Sequence, residues 1–186
     1  MRRKERPKRV SKAEWLSAAL EMLEAGGVES VRIERLAKKV GISKSGFYWH
    51  FKDRQALLKQ LLDYWSHEYT EVVTSNPQLW RGDPTTRLAM SMKMIQEHDL
   101  AKYDLVIQAW AKRDTMAATA IKSVTKKRLD FIRAIYSDMG LEGDELEMRA
   151  MLFVCYHTWE STMFSDMSLR KRTRLQKNRI ALLTQE

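Results

Sequence analysis

Apolar side chains recur at intervals of three and four residues along most of this 186-residue chain, and that spacing constrains its fold more than any other feature. Such intervals place apolar side chains on one face of an α-helix. In the first stretch these positions are Trp15, Leu16, Ala19, Leu20 and Leu23. The chain has only 7 glycines and 3 prolines, and no segment shows the alternation typical of a β-strand. The sequence therefore predicts an all-α protein.

Capping residues and helix breakers set the predicted ends of the helices. The predicted helix starts are Ser11 with Glu14, Ser43, Asp83 with Pro84, and Asp144 with Glu147. Glycines at 26–27 and 41 are expected helix ends. The predicted helices are residues 11–26, 32–39, 43–49, 53–73, one that starts at Pro84, 100–113, 115–139, 144–164 and 169–183.

Charge is distributed unevenly along the chain. Residues 1–60 contain 15 Lys and Arg against 7 Asp and Glu, whereas residues 61–167 contain 12 against 16. Residues 1–9 form a basic arm that we expect to be flexible. A basic segment of this kind suits a phosphate backbone, because each neutralised phosphate releases counterions, although a solubilising surface is an equally ordinary interpretation.

The remaining composition indicates the cellular compartment and argues against a membrane location. The single cysteine, Cys155, permits no internal disulfide and fits a reducing cytoplasm. No apolar run approaches the roughly 18 residues of a membrane span, and no apolar segment follows the basic arm as in a signal peptide. We therefore expect a cytoplasmic protein that does not enter the membrane.

Residues 32–49 predict two short helices separated by a tight turn at Gly41, which is the arrangement of a helix-turn-helix. The surrounding segment 28–62, VESVRIERLAKKVGISKSGFYWHFKDRQALLKQLL, resembles the N-terminal DNA-binding region of TetR-family regulators. The matching positions are Ile33, Leu36, Ala37, Gly41-Ile42-Ser43, Phe47-Tyr48, His50-Phe51, and Lys52 through Leu57-Leu58.

The resemblance implies a three-helix DNA-binding unit, a connecting helix and a helical body. It divides the chain into the arm 1–9, a DNA-binding domain 10–56 and a ligand-binding and dimerisation domain 57–186. It also implies a homodimer that binds palindromic double-stranded operator DNA sequence-specifically and regulates transcription. Members of the family are usually repressors that a small molecule releases from DNA, and here we expect a hydrophobic effector.

A recognition helix presents its N-terminal and outward side chains to the base edges of the major groove. Lys44 is the first choice for a base contact, with Ser45 and Tyr48 beside it. By resemblance, His50 and Lys52 look like phosphate contacts. The full predicted set is Arg32, Ser43, Lys44, Ser45, Tyr48, Trp49, His50, Lys52 and Arg54. Trp49 has two interpretations, the sugar–phosphate surface or packing, and His50 has a local capping role as its alternative, whereas Phe47 and Phe51 are expected in the core.

The second part of the chain is rich in methionine and aromatic residues, which line adaptable ligand pockets but also fill ordinary helical cores. The predicted pocket residues are Met94, Tyr103, Trp110, Tyr156, Trp159 and Met163. His98 and His157 are further candidates for polar contacts with a ligand. The helix 144–164 carries a broad apolar face, which predicts pairing with a second copy together with helix 169–183.

Two other classes of function were weighed against this hypothesis. The first is an enzyme, but the four histidines are scattered and no paired metal-ligand spacing, phosphate loop or nucleophile elbow occurs. Cys155 lies in an apolar run and is expected to be a small core residue. We therefore expect no catalysis, cofactor or metal. The second is a helical adaptor that binds protein, which the helix-turn-helix pattern and the charge distribution argue against.

Overall fold

The computed structural model describes residues 10–184, except for the side chains of Ser161, Leu169 and Lys177, and this part is all-α with no β-strand. The predicted basic arm lies outside the described residues. The helices are α1 Lys12–Gly26, α2 Ile33–Val40, α3 Lys44–Tyr48, α4 Arg54–Ser66, α5 Val72–Thr74, α6 Pro84–Glu97, α7 Asp104–Ala111, α8 Thr115–Asp138, α9 Gly143–Met163 and α10 Leu169–Thr184. Single turns of 3-10 helix lie at Val28–Ser30 and Pro77–Trp80, and a π-helical turn lies at His67–Glu71.

The chain divides into two units, of which the first ends at Trp65 and the second begins at Ser66. We predicted the boundary after residue 56. The structure instead assigns nearly all of α4 to the first unit. This helix buries five large side chains, Leu57, Leu58, Leu61, Leu62 and Trp65.

The first unit follows its local sequence signals closely. The Ser11 amide donates to the Glu14 carboxylate at 2.7 Å, and the Glu14 amide donates to the Ser11 hydroxyl at 3.2 Å, which completes the capping box. Gly41 ends α2 with φ of 77°, a left-handed conformation that glycine adopts without steric cost. The aromatic core is built on Phe47, whose ring lies 5.7 Å from Trp15 and 5.2 Å from Phe51.

The second unit is organised around α8, which packs against α6, α7 and α9. The core it shares with these helices includes Leu88, Met92, Ile132, Ile135 and Phe153. These side chains come from three different helices, α6, α8 and α9, so the unit is held together by apolar burial between helices. In the described part of the chain, no helix is both long enough and apolar enough to span a bilayer.

The structure differs from the predicted helices at three places. The helix predicted from residue 53 to 73 is interrupted by the π-helical turn that follows α4. The helix predicted from residue 100 begins at Asp104, because Asp99 has φ of 47° and the chain turns there. Glu142, not Asp144, occupies the N-cap position of α9, and its side chain makes no capping hydrogen bond. Glu147 forms an ion pair with Arg133 at 2.7 Å in place of the predicted capping box.

Candidate functional site

The helix-turn-helix occupies α2, the turn at Gly41 and α3. The Gly41 and Ile42 amides donate to the carbonyls of Lys38 and Ala37 at 3.2 and 3.1 Å, so the turn satisfies the last carbonyls of α2. The short helix α3 buries the side chain of Phe47 alone. The side chains of Lys44, Ser45 and Tyr48 are exposed.

The structure brings most of the predicted DNA-contacting residues together on α3 and the turn that follows it. Lys44, Ser45 and Lys52 are exposed. Tyr48 is 58% exposed and Trp49 is 87% exposed. Two adjacent exposed aromatic side chains offer an apolar surface to a binding partner.

Ser43 occupies the predicted position before α3, but its hydroxyl does not bind a helix amide. It shares a hydrogen bond with the Ser45 hydroxyl at 2.7 Å instead. Lys44 is also engaged, because its ammonium lies 2.6 Å from the Glu34 carboxylate of α2. This hydrogen bond lowers the pKa of Glu34. Sequence reasoning missed Glu34, since ten residues separate the partners and no local spacing rule connects them.

Three predicted DNA contacts make internal hydrogen bonds instead of standing free. The Arg54 guanidinium donates to the carbonyls of Val31 and Val28 at 2.7 and 2.6 Å, and it is partly buried. His50 donates through Nε2 to the Val10 carbonyl at 3.0 Å. Arg32 is exposed and donates to a nearby carbonyl at 3.3 Å. Arg54 thus ties the 3-10 turn to the start of α4, which makes it a structural residue of the first unit.

The second unit contains a partly open cavity of about 50 Å³. A single water needs roughly 10–15 Å³ by the same measure, so the space admits a small molecule or part of a larger one. Its wall comes from the π-helical turn, α5, α6, α8 and α9. Representative wall residues are Tyr69, Thr70, Ile95, Phe131, Phe153 and His157.

None of the six residues predicted for the pocket lies on this wall. Tyr103 and Trp110 are buried elsewhere in the unit, and Met94 packs against the core. Tyr156 stacks under the Arg179 guanidinium, 3.7 Å from its ring centroid. Trp159 and Met163 are exposed. Composition identifies adaptable side chains without identifying the helix face that carries them. His157, a secondary candidate, does line this cavity.

The cavity wall carries one buried ion pair. The Arg128 guanidinium binds both carboxylate oxygens of Asp104, and its Nε donates to the Thr70 hydroxyl at 3.0 Å. The Asp104 side chain is only 1% exposed, so water screens this pair weakly. Arg128 therefore connects α8 to α7 and to the π-helical turn.

An apolar stripe on α9 faces outward in the protomer. Its members recur at helical spacing and are Met148, Met151, Leu152, Trp159 and Met163. Cys155 lies within the stripe and is exposed, so its prediction as a small core residue is wrong. The stripe is the apolar face that the sequence predicted for this helix, and it is uncovered.

The sequence of the first unit matches a known protein family. A family model described as bacterial regulatory proteins, tetR family, matches residues 16–61, which contain α2, α3 and most of α4. Tetracycline repressor protein class D from Escherichia coli is 24% identical over 132 residues, which are 69% of this chain and 60% of that protein. The matched region thus spans less than two thirds of that relative.

Solved structures share the fold over nearly the whole chain. A transcriptional regulator from Rhodococcus sp. Rha1 has a TM-score of 0.75 at 16% identity and covers 95% of this chain and 97% of its own. AibR, solved in complex with isovaleryl coenzyme A and operator DNA, has a TM-score of 0.69 at 17% identity and covers 94% and 98%. The match to the tetR family of bacterial regulatory proteins thus lies in the first unit, at residues 16–61, and these solved structures share the fold of nearly the whole chain.

Proposed function

We propose that this chain is a sequence-specific DNA-binding transcriptional regulator, and that it acts as a homodimeric repressor released from its operator by a small hydrophobic effector. The observation that carries the proposal is α3, a short helix after a tight glycine turn that buries Phe47 alone and exposes every other long side chain. An α-helix of this kind fits the major groove of B-DNA.

The proposed base contacts are Lys44, Ser45 and Tyr48. A lysine ammonium can donate to guanine O6 and N7, and a tyrosine ring can pack on a thymine methyl group. Lys44 must leave Glu34 to reach a base. Both partners are exposed, with 56% and 62% of their side chains in water, so this exchange costs little.

The proposed phosphate contacts are Lys52 and Arg32, with the ring of Trp49 against the sugar–phosphate surface. Lys52 is exposed and makes no ion pair within the described residues, so its charge is available to a phosphate. Arg54 and His50 contribute by holding the unit together, because their donors are bound to backbone carbonyls. Ser43 supports α3 through its hydrogen bond to Ser45.

The α9 stripe supports a homodimer. Three methionines, a leucine and a tryptophan at helical spacing form an apolar face that a lone protomer leaves in water. A second copy of the same helix covers such a face most simply, since a two-fold interface pairs each patch with itself. A dimer also presents two recognition helices to a palindromic operator, whose half-sites lie roughly 34–36 Å apart.

The cavity supports an effector role for the second unit. Its wall is almost entirely apolar apart from a few side chains such as Arg128, His157 and Thr158. AibR was solved with isovaleryl coenzyme A and operator DNA, and the E. coli relative is a tetracycline repressor, so both ligand response and repression have precedent in similar proteins. A ligand shifts DNA affinity only through its different affinity for two states of the protein.

Operator selection from random DNA tests the proposal, with wild type compared with Lys44→Ala and with Lys122→Ala, an exposed lysine of the second unit, as the charge-matched control. We expect an enriched palindrome, and Lys44→Ala should lose preference at one position by about 1–3 kcal/mol while Lys122→Ala retains it. Lys52→Ala should instead weaken all sequences and reduce the salt slope by about 1. Absence of any enriched sequence, with salt-independent binding, would favour a protein-binding adaptor.

Gel filtration with light scattering tests the dimer. Met151→Glu places a charge in the α9 stripe and should give a monomer, because an unpaired carboxylate is costly to bury. Met90→Glu, at a 38% exposed methionine of α6, is the matched control and should stay dimeric. A dimeric Met151→Glu protein would place the interface elsewhere.

A further inference from the structure

Arg128, a charged residue of the cavity wall, is paired with the carboxylate of Asp104, which does not line the cavity. The Arg128 guanidinium is neutralised by Asp104, and its Nη2 and Nε donors are bound to the Asp104 carboxylate at 3.1 Å and to the Thr70 hydroxyl at 3.0 Å. An anionic ligand would have to displace a carboxylate that is only 1% exposed and leave it buried without its partner. Arg128 is therefore unsuited to anchor a carboxylate or phosphate, although it is the one permanently charged side chain on the wall within residues 10–184.

The other titratable wall residues are neutral near pH 7. Burial lowers the pKa of His157 to about 4, and its Nδ1 donates to the Phe153 carbonyl at 2.8 Å. Burial raises the pKa of Tyr69 to about 12. Arg179, which approaches His157 Nε2 at 3.4 Å, is itself paired with Glu160 at 3.3 Å. The wall therefore presents no net charge to an occupant.

Two threonine hydroxyls on the wall, those of Thr74 and Thr158, make no hydrogen bond among the described residues, and Thr158 is the more buried of the two. Thr158 is 8% exposed, and its hydroxyl has no hydrogen-bond partner among the residues that the structure describes. The neighbouring wall hydroxyl of Ser91 differs, because it donates to the Arg87 carbonyl at 2.8 Å. Because Thr158 lines the cavity, a ligand or a water there can supply a hydrogen bond to its hydroxyl.

From these observations we propose that the cavity selects an uncharged ligand, or the uncharged apolar end of a larger one, and that Thr158 recognises its single hydrogen-bonding group. The inference rests on the proposed effector function and adds the ligand class and the residue that selects it. A cavity of about 50 Å³ accommodates a chain of about five heavy atoms, such as a short alcohol. Carboxylates and amines of the same length are excluded, since either would bring an unpaired charge into an apolar space.

Methyl NMR titration with 1-butanol, butyrate and butylammonium tests this selection on the full chain. These probes share a four-carbon skeleton and differ in the polar group at its end. The methyl groups of Val73, Ile95, Ile132 and Val154 report from the wall itself. We expect 1-butanol to shift these methyl signals to saturation and the two ions to bind at least about 10-fold more weakly. Equal or tighter binding of butyrate, or no saturable shift with 1-butanol, overturns the proposal.

Substitutions at Thr158 test the hydrogen bond. Thr158→Val keeps the shape of the side chain and should weaken the binding of 1-butanol by about 3- to 10-fold, which corresponds to the loss of one hydrogen bond. Thr158→Ser should retain most of the affinity. Thr119→Val removes an exposed α8 hydroxyl that donates to the Thr115 carbonyl, and it is the matched control. Undiminished binding to Thr158→Val overturns the role of Thr158.

Operator affinity, measured on the same proteins without any probe, separates this inference from the proposed function. Thr158→Val should bind operator DNA as wild type does. If wild type selects no operator, the regulator hypothesis fails whatever the cavity binds. If the operator is bound normally but butyrate occupies the cavity, only the ligand class fails.

Discussion

Removing either partner of the buried pair between Asp104 and Arg128 should destabilise the second unit strongly. The Asp104 side chain is 1% exposed and the Arg128 side chain 18% exposed, so whichever charge is left cannot be fully hydrated. Breaking a buried pair of this kind costs about 3–5 kcal/mol. Asp104→Leu leaves the partly exposed Arg128 unpaired and should lower the free energy of unfolding by about 3 kcal/mol. Arg128→Met leaves the more deeply buried carboxylate unpaired and should lower it by about 5 kcal/mol.

The double substitution Asp104→Leu with Arg128→Met should cost far less than the sum of the two single costs. It removes both charges together and fills their space with apolar groups, an exchange that is often close to neutral in protein interiors. The coupling between the two sites should therefore be about 3 kcal/mol or more. Part of the gain is lost, because the Thr70 hydroxyl no longer receives the hydrogen bond from Arg128 Nε.

Urea unfolding followed by circular dichroism measures these differences, at one fixed protein concentration because association shifts apparent stability. The exposed pair between Lys126 and Asp130, which are separated by 2.5 Å and have 76% and 47% of their side chains in water, is the matched control. Its corresponding variants should change stability by less than about 1 kcal/mol. If the single Asp104 or Arg128 variants also lose less than about 1 kcal/mol of stability, the pair is not effectively buried. The inference that the cavity wall is neutral would then fail as well.

Three further predictions follow from the same contacts. Burial lowers the pKa of His157 from 6.5 to about 4, so between these pH values the unfolded chain binds a proton that the folded chain does not. The free energy of unfolding should therefore fall by about 3 kcal/mol as the pH drops from 6.5 to 4. Urea unfolding should show this loss in wild type and not in His157→Asn. Arg54→Met should lower the free energy of unfolding by about 2 kcal/mol, because two backbone carbonyls lose their hydrogen-bond donor. The salt dependence of DNA binding should not change, and a slope lowered by about 1 would make Arg54 a phosphate contact. Gly41→Ala should cost about 1 kcal/mol in thermal melts, because φ is 77° there, and no loss would mean that the turn relaxes.

Features that depend on neighbours in sequence could be predicted from the sequence. The capping box at Ser11 and Glu14, the glycine turn at Gly41 and the start of α6 at Asp83 and Pro84 all depend on residues within three positions of each other. Each has a local physical reason, namely a side chain that satisfies a free helix amide or a residue that tolerates a left-handed conformation. These rules were enough to predict the helix-turn-helix and the all-α class.

The cavity and the roles of individual cations could not be predicted in this way. Arg54 binds carbonyls 23 and 26 residues away, and Arg128 binds a carboxylate 24 residues away. Contacts between residues so far apart in the sequence are determined only by tertiary packing. The sequence therefore shows a basic residue without showing whether its charge is already paired. The same limit applies to Trp159, which belongs to the outward stripe of α9 and not to the cavity.

The π-helical turn at His67–Glu71 links these long-range contacts to the cavity. Two consecutive cations of α8 hold it, since Lys127 binds the Glu71 carboxylate and Arg128 binds the Thr70 hydroxyl. Turns of this type are rare and are found mostly at functional sites, because a regular α-helix is more stable without such contacts. Tyr69 and Thr70 of the turn lie on the cavity wall, and the turn follows α4 directly in the chain. A ligand that fills the cavity therefore contacts a segment whose conformation depends on a few polar interactions, and we expect any ligand-dependent change to begin there.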